Sequence, residues 1–491
     1  MAPNILLVTL DQFRADCLSA AGHPLVRTPN LDRLAAEGVR FARHYSQASP
    51  CSPGRAALYT GTYQMNNRVV ANGTPLDASL DNVALAARRA GYAPVMFGYT
   101  DQTLDPRLSN GPDDERLSTY EGVLPGFDCV LDLSEGHEPW LAHLRNEGHE
   151  VKGLRHALST ENERPTSVSV SAFLTDKVIE WLDGRENGWF AHVSYLRPHP
   201  PYSAAGEWST AYDELEVGEP IAPVDDPHPF HALMMTVDAC KAPEDESGMR
   251  RMRAQYFGMV SHIDAEVGRL FDHLRATGKW DDTVVVLTSD HAELLGDHGL
   301  REKVGYWETS QHIPCIIRDP RAAGTAGTVV REFTENVDIM PTLCEAMGLP
   351  VPHQCDGFPL THFLRGETPP WWRDAATWEY DWRAALIELG YSGPWPWKRT
   401  LEQQSLCAQR TEDTAYVQFG DGSHLCFDIA VDPTWRTPCT DPVRVAEAAQ
   451  RMLTWRMRMS DRTHTGFLAR DGGTGRWPEG VPWRGQSDQR S

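Results

Sequence analysis

The chain has 491 residues, which is long enough for one large domain with a smaller one and for a sizeable hydrophobic core. Asp and Glu number 68 against 46 Lys and Arg, a formal net charge of -22. This charge argues against nucleic acid or an anionic membrane surface as the main partner, and an anionic substrate would need a local cationic pocket. The ten cysteines are scattered without C-x-x-C pairs, as expected for free thiols in a cytosolic chain.

The amino-terminal stretch "MAPNILLVTLDQ" enters a strand-like run directly. It lacks the basic region, the long apolar stretch and the cleavage site of a signal peptide. No later segment reaches membrane-spanning length. We therefore expect a cytoplasmic protein without a membrane partner.

Short apolar runs alternate with segments of helical period through the first two thirds of the chain. Residues 4–10 predict a buried strand, and "TPNLDRLAAEGV" predicts a helix with Thr28 as its N-cap. This alternation is typical of an α/β fold. The later segments are "LDNVALAARRAGY" (helix), "APVMFGY" (strand), "VSAFLTDKVIEWLDG" (helix), "WFAHVSYL" (strand), a helix from about residue 249 to 277, the strand "TVVVLTS", the apolar run "IPCIIRD" and the helix "NVDIMPTLCEAMG".

The pattern changes past about residue 385, so we predict a catalytic domain over 1–385 and a subdomain over 386–491. Residues 405–433 look like antiparallel strands that turn at Gly420-Asp421-Gly422, and "VRVAEAAQRMLTWRMRM" predicts a helix after them. We expect substrate specificity to lie in two insertions, at about residues 105–165 and 203–247.

Polar residues follow four of the predicted strands. Because ligands bind at the carboxyl ends of parallel strands, we expect these side chains to share one crevice. Tyr99 and Thr100 are candidate substrate contacts among them. The full set is Asp11, Gln12, Tyr99, Thr100, His199, Asp290 and His291.

Four members of this set form a candidate metal site. Three oxygen donors and one imidazole suit Ca²⁺, Mg²⁺ or Mn²⁺, and the imidazole favours Mn²⁺. Taken singly, an Asp at a strand end is more often a helix cap or turn former than a ligand. Two separated pairs favour the metal interpretation. The candidate ligands are Asp11, Gln12, Asp290 and His291.

Cys51 lies in "ASPCSPGRAAL", between two prolines and four residues before Arg55. A buried, inert thiol is the usual state of a cysteine. A tyrosine-phosphatase loop would place its Arg six residues after the Cys, so that spacing fails. Against an inert role, the loop around Cys51 is polar and predicted to be exposed, and it leads into a helix whose N-terminus attracts anions.

The motif C-x-P-x-R is present as Cys51-Ser52-Pro53-Gly54-Arg55, followed by "AALYTG". It is similar to the signature of the formylglycine-dependent sulfatases in the alkaline phosphatase superfamily. The resemblance covers most of residues 4–345, from "NILLVTLDQFRAD" to "LTSDHAELLGDHG". It implies an alkaline-phosphatase-like α/β fold: a large mixed, mostly parallel sheet between helices, with a smaller C-terminal α/β subdomain that contains an antiparallel sheet.

The resemblance also implies residue roles. Cys51 is converted to formylglycine by a formylglycine-generating enzyme, and its hydrated aldehyde is both the nucleophile and a metal ligand. Arg55 would hold that nucleophile and the substrate oxyanion. His199 and Lys303 would contact the transferred group or the leaving oxygen, and Asn72 would contact the substrate.

The chain departs from many sulfatases in three places. Gln12 and His291 replace Asp and Asn, and "GYTDQTLDPR" lacks the Gly-Lys that many members carry there. These features resemble the phosphonate monoester hydrolase branch, whose members also accept aryl sulfates and phosphate diesters. With one ligand charge and one pocket cation fewer, we expect a small, singly charged sulfate or phosphonate ester as substrate.

Two alternatives stay open at this point. One is a phosphodiesterase with incidental sulfatase activity, and the other is a catalytically silent binding homologue in which Cys51 is unmodified. Relatives in this branch form tetramers, so we expect a homotetramer in which the tail with Trp477 and Trp483 packs against another subunit.

Overall fold

The apolar run Asn4–Leu10 forms a strand, β1, in which every residue is buried. In the computed structural model, which describes residues 2–383, 386, 390 and 402–460, β1 lies inside an eight-stranded sheet. Leu6, Val8 and Leu10 pack in one hydrophobic core, whereas Ile5 and Leu7 pack in a second core on the other face. Because side chains alternate across a strand, β1 requires apolar cover on both faces of the sheet.

The large sheet has the order β4-β3-β5-β1-β6-β7-β2-β8. Only β7 runs antiparallel to its neighbours, β6 and β2, and the other pairs are parallel. Thr9 of β1 pairs with Ser194 of β5 and Thr288 of β6, so these three strands end at the same level. The other strands of this sheet are β2 (Val39–Tyr45), β3 (Val95–Gly98), β4 (Asp128–Asp132), β5 (Phe190–Tyr195), β6 (Thr283–Thr288), β7 (Cys315–Arg318) and β8 (Thr328–Glu335).

Helices cover both faces of the sheet. Helices α1, α7 and α9 contribute to the first core, and α2, α4 and α10 to the second. The predicted α/β class with a mixed, mostly parallel sheet between helices is confirmed. The helices are α1 (Pro29–Glu37), α2 (Cys51–Thr60), α3 (Gln64–Asn67), α4 (Val83–Arg89), α5 (Glu138–Asn146), α6 (Leu154–Ser159), α7 (Val170–Leu182), α8 (Pro229–Met234), α9 (Glu246–Ala276), α10 (Ile339–Ala346), α11 (Thr361–Leu364) and α12 (Pro442–Met459).

A separate four-stranded antiparallel sheet has the order β12-β11-β10-β9. Its strands are β9 (Ala375–Asp381), β10 (Ser405–Thr411), β11 (Thr414–Phe419) and β12 (His424–Asp428). The predicted antiparallel sheet is thus confirmed, with the turn between β11 and β12 where it was predicted. Its first strand, β9, precedes the boundary predicted at residue 385, and that division of the chain stays a prediction.

The small sheet is hydrogen-bonded to the segment that precedes α2. The backbone N–H of Glu379 in β9 donates to the carbonyl oxygen of Gln47, 2.9 Å away. None of the helices in the described residues combines the length and apolar character needed to cross a bilayer. The tail with Trp477 and Trp483 lies outside the described residues, so the predicted subunit contact and the homotetramer stay predictions.

Replacing Gly54 in α2 by Ala is expected to destabilise the protein by about 1–3 kcal/mol. An added Cβ would lie 2.6 Å from the carbonyl oxygen of Asp290 and 3.0 Å from that of Ala48, and both are backbone atoms with little freedom to move. The higher helix propensity of Ala, about 1 kcal/mol, opposes this loss only in part. Thermal unfolding of the purified variant would measure the change.

The matched control for this substitution is Gly324→Ala, because a Cβ at Gly324 meets no atom within 4 Å. If Gly54→Ala unfolds at the same temperature as this control, α2 does not pack against the end of β6 as closely as the structure shows.

Candidate active site

Cys51 is the first residue of α2, directly after its N-cap Pro50. It is only 5% exposed, and its neighbours in the helix are all buried. The prediction of an exposed loop is therefore wrong, because the segment is covered on several sides. The backbone N–H of Ser52 donates to the side-chain oxygen of Asn72 at 3.0 Å, and the hydroxyl of Ser46 donates to the backbone oxygen of Asp290.

Four buried residues bring potential ligand atoms within 4.8 Å of one another: Asp11, Cys51, Asp290 and His291. The Oδ1 atom of Asp11 is buried and has no hydrogen-bond partner among the described residues. The Nδ1 atom of His291 lies 3.2 Å from the carbonyl oxygen of Ala292, which can only accept. Nδ1 therefore carries the ring proton, and Nε2, 3.2 Å from the sulfur of Cys51, presents a lone pair.

This donor set fits a divalent cation. Two carboxylates and an imidazole are ligands of Mn²⁺ and related ions, and an uncompensated carboxylate oxygen in a buried site calls for a positive charge. Burial acts to raise the pKa of Asp11, but His199, which is protonated in the acidic range where Asp11 titrates, and the positive charge of Arg55 outweigh it and hold that pKa below its usual value. Burial also lowers the pKa of His291, so its ring is neutral and able to coordinate.

Arg55 lies beneath this cluster. Its Nε donates to Oδ2 of Asp290 and one Nη donates to Oδ2 of Asp11, both at 3.0 Å. The other Nη donates to Ser194 Oγ at 2.8 Å and to the backbone oxygen of Tyr99 at 3.2 Å. The side chain is fully buried and is not among the described residues that line the cavity. Arg55 thus orients two candidate metal ligands, and its contact with the nucleophile and the substrate oxyanion stays a prediction.

Gln12 adopts a left-handed backbone conformation, with φ of 69°, directly after Asp11. Its Nε2 donates to carboxylate oxygens of Glu293 and Glu302, which fixes the amide orientation. Its Oε1 accepts from the ammonium of Lys303 at 2.9 Å. A role for Gln12 as a metal ligand stays a prediction, since the amide oxygen has a second lone pair.

Lys303 and His199 form a polar pair on the cavity wall. The Nζ of Lys303 donates to Nε2 of His199 at 2.9 Å, while Nδ1 of His199 donates to the carbonyl oxygen of Pro200 at 2.8 Å. Burial opposes the charge on Lys303, but the thiolate that Cys51 forms in the alkaline range where Lys303 titrates and the carboxylate of Glu302 outweigh it and raise the pKa of Lys303 well above the usual value. Burial and the Lys303 charge lower the pKa of His199. Lys303 is therefore the proton carrier of the pair, and His199 is a neutral acceptor.

The thiol of Cys51 is a poor nucleophile in this setting. Burial and the negative charge of Asp11 raise its pKa well above the usual value. Since the thiolate is the reactive form of cysteine, an unmodified Cys51 stays protonated and unreactive at neutral pH.

A cavity of about 260 Å³ opens above the cluster. Tyr99 lines it and donates its hydroxyl to Oδ2 of Asp11 at 2.7 Å. Thr100 faces elsewhere, because its hydroxyl donates to the backbone oxygen of Gly122 and accepts from the N–H of Leu124, both at 2.8 Å. The other lining residues are Asp11, Pro50, Cys51, Asn72, Asp101, Tyr120, Glu121, His137, Leu196, His199, Glu302, Lys303, Val304 and Tyr380.

The predicted insertions contribute unequally to this cavity. Residues 120, 121 and 137 belong to the first insertion, whereas none of the described lining residues belongs to 203–247. That second insertion instead borders a neighbouring groove, where Ala239 and Pro243 lie with His199 and Glu302. Substrate selection by the insertions stays a prediction.

Several site residues were missed by the sequence analysis. Glu293 follows His291 by two positions and Asp101 follows Tyr99 by two, so their places after strand ends were available as a signal. Glu121 and Tyr380 carried no such signal, because they come from a loop and from the small sheet.

The sequence profile of the Sulfatase family matches residues 3–349. The chain belongs to the Sulfatase family, within the alkaline phosphatase superfamily. A multifunctional alkaline phosphatase superfamily protein of Trinickia caryophylli is 34% identical to this family member over 94% of this chain and 97% of its own length.

Two further comparisons bear on the same family. The phosphonate monoester hydrolase of Agrobacterium radiobacter has a solved structure that is 38% identical, with a TM-score of 0.87 over 97% of this chain and 100% of that chain. An arylsulfatase of Clostridium perfringens is 27% identical over 76% of this chain and 80% of its own length. The predicted family and fold are confirmed, and this sulfatase-family chain is a hydrolase.

Arg55→Lys is expected to weaken Mn²⁺ binding about 10- to 100-fold. Lysine keeps the charge but cannot donate to two carboxylates from one planar fork. Titration calorimetry with MnCl₂ would measure the affinity. Arg318→Lys is the matched control, because Arg318 is also buried and bonds carbonyl oxygens away from the cluster. Equal affinities for wild type and Arg55→Lys would contradict the orienting role.

Proposed function

We propose that the protein hydrolyses small, singly charged sulfate esters and phosphonate monoesters, with formylglycine derived from Cys51 as the nucleophile and one divalent ion, Mn²⁺ or Ca²⁺, as cofactor. The observation that carries the proposal is the position of Cys51 at the start of α2, inside the cluster of Asp11, Asp290 and His291. As a protonated thiol it has no evident chemical use there, whereas an oxygen nucleophile would suit these neighbours.

The modification replaces the sulfur and two hydrogens of the Cys51 side chain by one oxygen, an oxidation that a formylglycine-generating enzyme would carry out. The hydrated aldehyde supplies a hydroxyl nucleophile that displaces the alcohol or phenol of the ester, and its second hydroxyl lets the sulfate or phosphonate leave as the carbonyl re-forms. A divalent cation held by Asp11, Asp290 and His291 supplies Lewis-acid stabilisation of charge on the substrate oxygens.

The chain's own residues divide the remaining work. Arg55 and the Tyr99 hydroxyl both bond Oδ2 of Asp11, which leaves Oδ1 facing the cluster. Lys303, held by Gln12 and His199, offers a proton and a positive charge to the leaving oxygen. Asn72, which lines the cavity, is positioned to contact the transferred group.

The charge balance of the cavity supports a singly charged substrate. Among the described lining residues, Lys303 is the one side chain from the Lys and Arg class, whereas four carry carboxyl groups: Asp11, Asp101, Glu121 and Glu302. A dianionic phosphate monoester would meet more repulsion here than a monoanionic ester would. The phosphonate monoester hydrolase and the arylsulfatase among its relatives act on esters of this kind by name.

Cys51→Ala is expected to remove turnover of phenyl phosphonate and aryl sulfate by several orders of magnitude. The candidate metal ligands remain, so Mn²⁺ affinity and thermal stability should change little. Steady-state kcat/KM would be compared with intact mass, which should show the aldehyde or its hydrate at residue 51 of the active wild type.

Three results would contradict this proposal. Turnover near the wild-type level in Cys51→Ala would exclude Cys51 as the nucleophile, and an unmodified thiol in an inactive wild type purified from its own cells would favour a silent binding homologue. A phosphate diester hydrolysed far faster than both other esters would favour the phosphodiesterase.

Lys303→Ala is expected to lower kcat/KM by about 10²–10³, the scale of one preorganised electrostatic donor. Esters with poor leaving groups should lose most, because an alkoxide needs a proton at bond cleavage whereas a nitrophenolate does not. The measurement is log kcat/KM against leaving-group pKa, which should steepen in the variant. Lys177→Ala, at an exposed residue of α7 paired with Glu180, is the control.

His199→Ala should shift the same plot without steepening it, since the neutral His199 accepts from Lys303 and carries no proton toward the cavity on Nε2. A Lys303→Ala line parallel to that of the wild type would reassign Lys303 to binding the nonbridging oxygens of the substrate.

A further inference from the structure

One wall of the cavity is built from hydrogen-bond acceptors. Asp101 follows β3, Glu121 lies in the loop before β4, and His137 is the N-cap of α5. All three line the cavity that also holds Cys51 and Lys303. An acidic wall is unexpected in a cavity proposed to receive an anion, so it requires its own explanation.

The three residues are held together by bonds between their segments. The N–H of Gln102 donates to the carbonyl oxygen of Gly122 at 3.2 Å, beside Asp101 and Glu121 respectively. The carboxylate of Glu121 accepts from the backbone N–H of Glu135, two residues before His137. These hydrogen bonds fix the three segments of the wall relative to one another.

His137 presents an unused acceptor. It is 4% exposed, and its Nδ1 lies 3.3 Å from the carbonyl oxygen of Glu135, so Nδ1 carries the ring proton. Burial lowers its pKa to about 4, which keeps the ring neutral. Its Nε2 is buried without a hydrogen-bond partner among the described residues. An unpaired buried acceptor beside a cavity indicates a donor on the ligand.

The carboxyl groups of Asp101 and Glu121 have little compensating positive charge among the described residues that line the cavity. Burial raises the pKa of Glu121 to about 7 and that of Asp101 well above its usual value. The nearest cation for Asp101 is Arg55, at 3.5 Å, and that guanidinium already serves Asp11 and Asp290. A cationic ligand would supply the missing charge.

Aromatic side chains also line the cavity that contains this wall. Tyr120 and Tyr380 line the same cavity, and tyrosine faces attract cations through their electron-rich rings. The Tyr99 ring already holds the Arg55 guanidinium, whose carbon lies 4.4 Å from the ring centroid. Carboxylates, a bare imidazole nitrogen and aromatic rings are together the groups that bind an ammonium ion.

We propose that Asp101, Glu121 and His137 form a subsite for an ammonium group on the leaving-group part of the ester. This inference rests on the proposed function and specifies its substrate class: a small zwitterionic ester whose anionic end lies at the metal cluster and Lys303. The cavity of about 260 Å³ limits how far apart the two charges of that ester are.

The test compares two esters of similar shape, para-(aminomethyl)phenyl sulfate and para-ethylphenyl sulfate, on the Mn²⁺-loaded full-length enzyme. We expect kcat/KM to favour the ammonium ester by about 10-fold or more, the scale of one charge-assisted hydrogen bond. Glu121→Gln and Asp101→Asn should each lower this preference severalfold. Asn tolerates the left-handed backbone of Asp101, with φ of 50°, so the second variant keeps the local conformation.

Glu138→Gln is the matched control. Glu138 follows His137, but its side chain is mostly exposed and pairs with Arg145 outside the cavity. This variant should keep the wild-type preference.

Calorimetry with the same two esters and the full-length Cys51→Ala protein separates the subsite from the chemistry. A preference in binding that Glu121→Gln lowers, in a protein whose wild type hydrolyses neither ester, would support the subsite and refute the proposed function. No preference in either binding or turnover would overturn the subsite. Equal effects of Glu121→Gln on both esters would also overturn it, because the wall would then act only on the sulfate end that the two esters share.

Discussion

The contact of Arg55 with two carboxylates is the interaction on which the candidate site depends. A fully buried cation is tolerated only when its charge and its donors are matched, and here the partners, Asp11 and Asp290, are themselves buried anions. The three residues come from the end of β1, from α2 and from the segment after β6, so one guanidinium ties two strands and a helix together. The match is incomplete, because Oδ1 of Asp11 has no partner among the described residues. That remaining negative charge makes the cluster a site for a cation.

The cavity, like the chain as a whole, has more acidic than basic side chains. Positive charge is concentrated on two side chains with different tasks: Arg55 lies beneath the cluster, and Lys303 lies on the wall. Both stay charged although they are buried, because each is surrounded by carboxylates. The described residues that line the cavity thus offer few cationic side chains, in keeping with the singly charged ester proposed as substrate.

Much of the fold followed from local sequence patterns. Buried apolar strands and parallel strand ends placed Asp11 and Asp290 at one edge, since that argument requires only the direction of the chain. Strands such as β2 were not predicted, because charged residues including Arg43 interrupt the apolar pattern. The burial of Cys51 and the orientation of Arg55 were also not predictable, as both depend on segments that are distant in sequence. The neighbours of Asp101 were also not predictable, because only the fold brings the loop before β4, with Glu121, beside it.

The burial of Cys51 sets an order of events during synthesis. Its helix is covered by the segment around Asn72 and by the end of β6, and the cavity above it is closed on one side by Tyr380 of β9, more than three hundred residues later in the chain. The ribosome therefore synthesises this cysteine long before β9, which closes that side of the cavity. The enzyme that would carry out the proposed modification would find the thiol accessible in the nascent chain, and docking of the small sheet would narrow that access. The rates of translation and folding would then together set the fraction of molecules that carries the proposed modification.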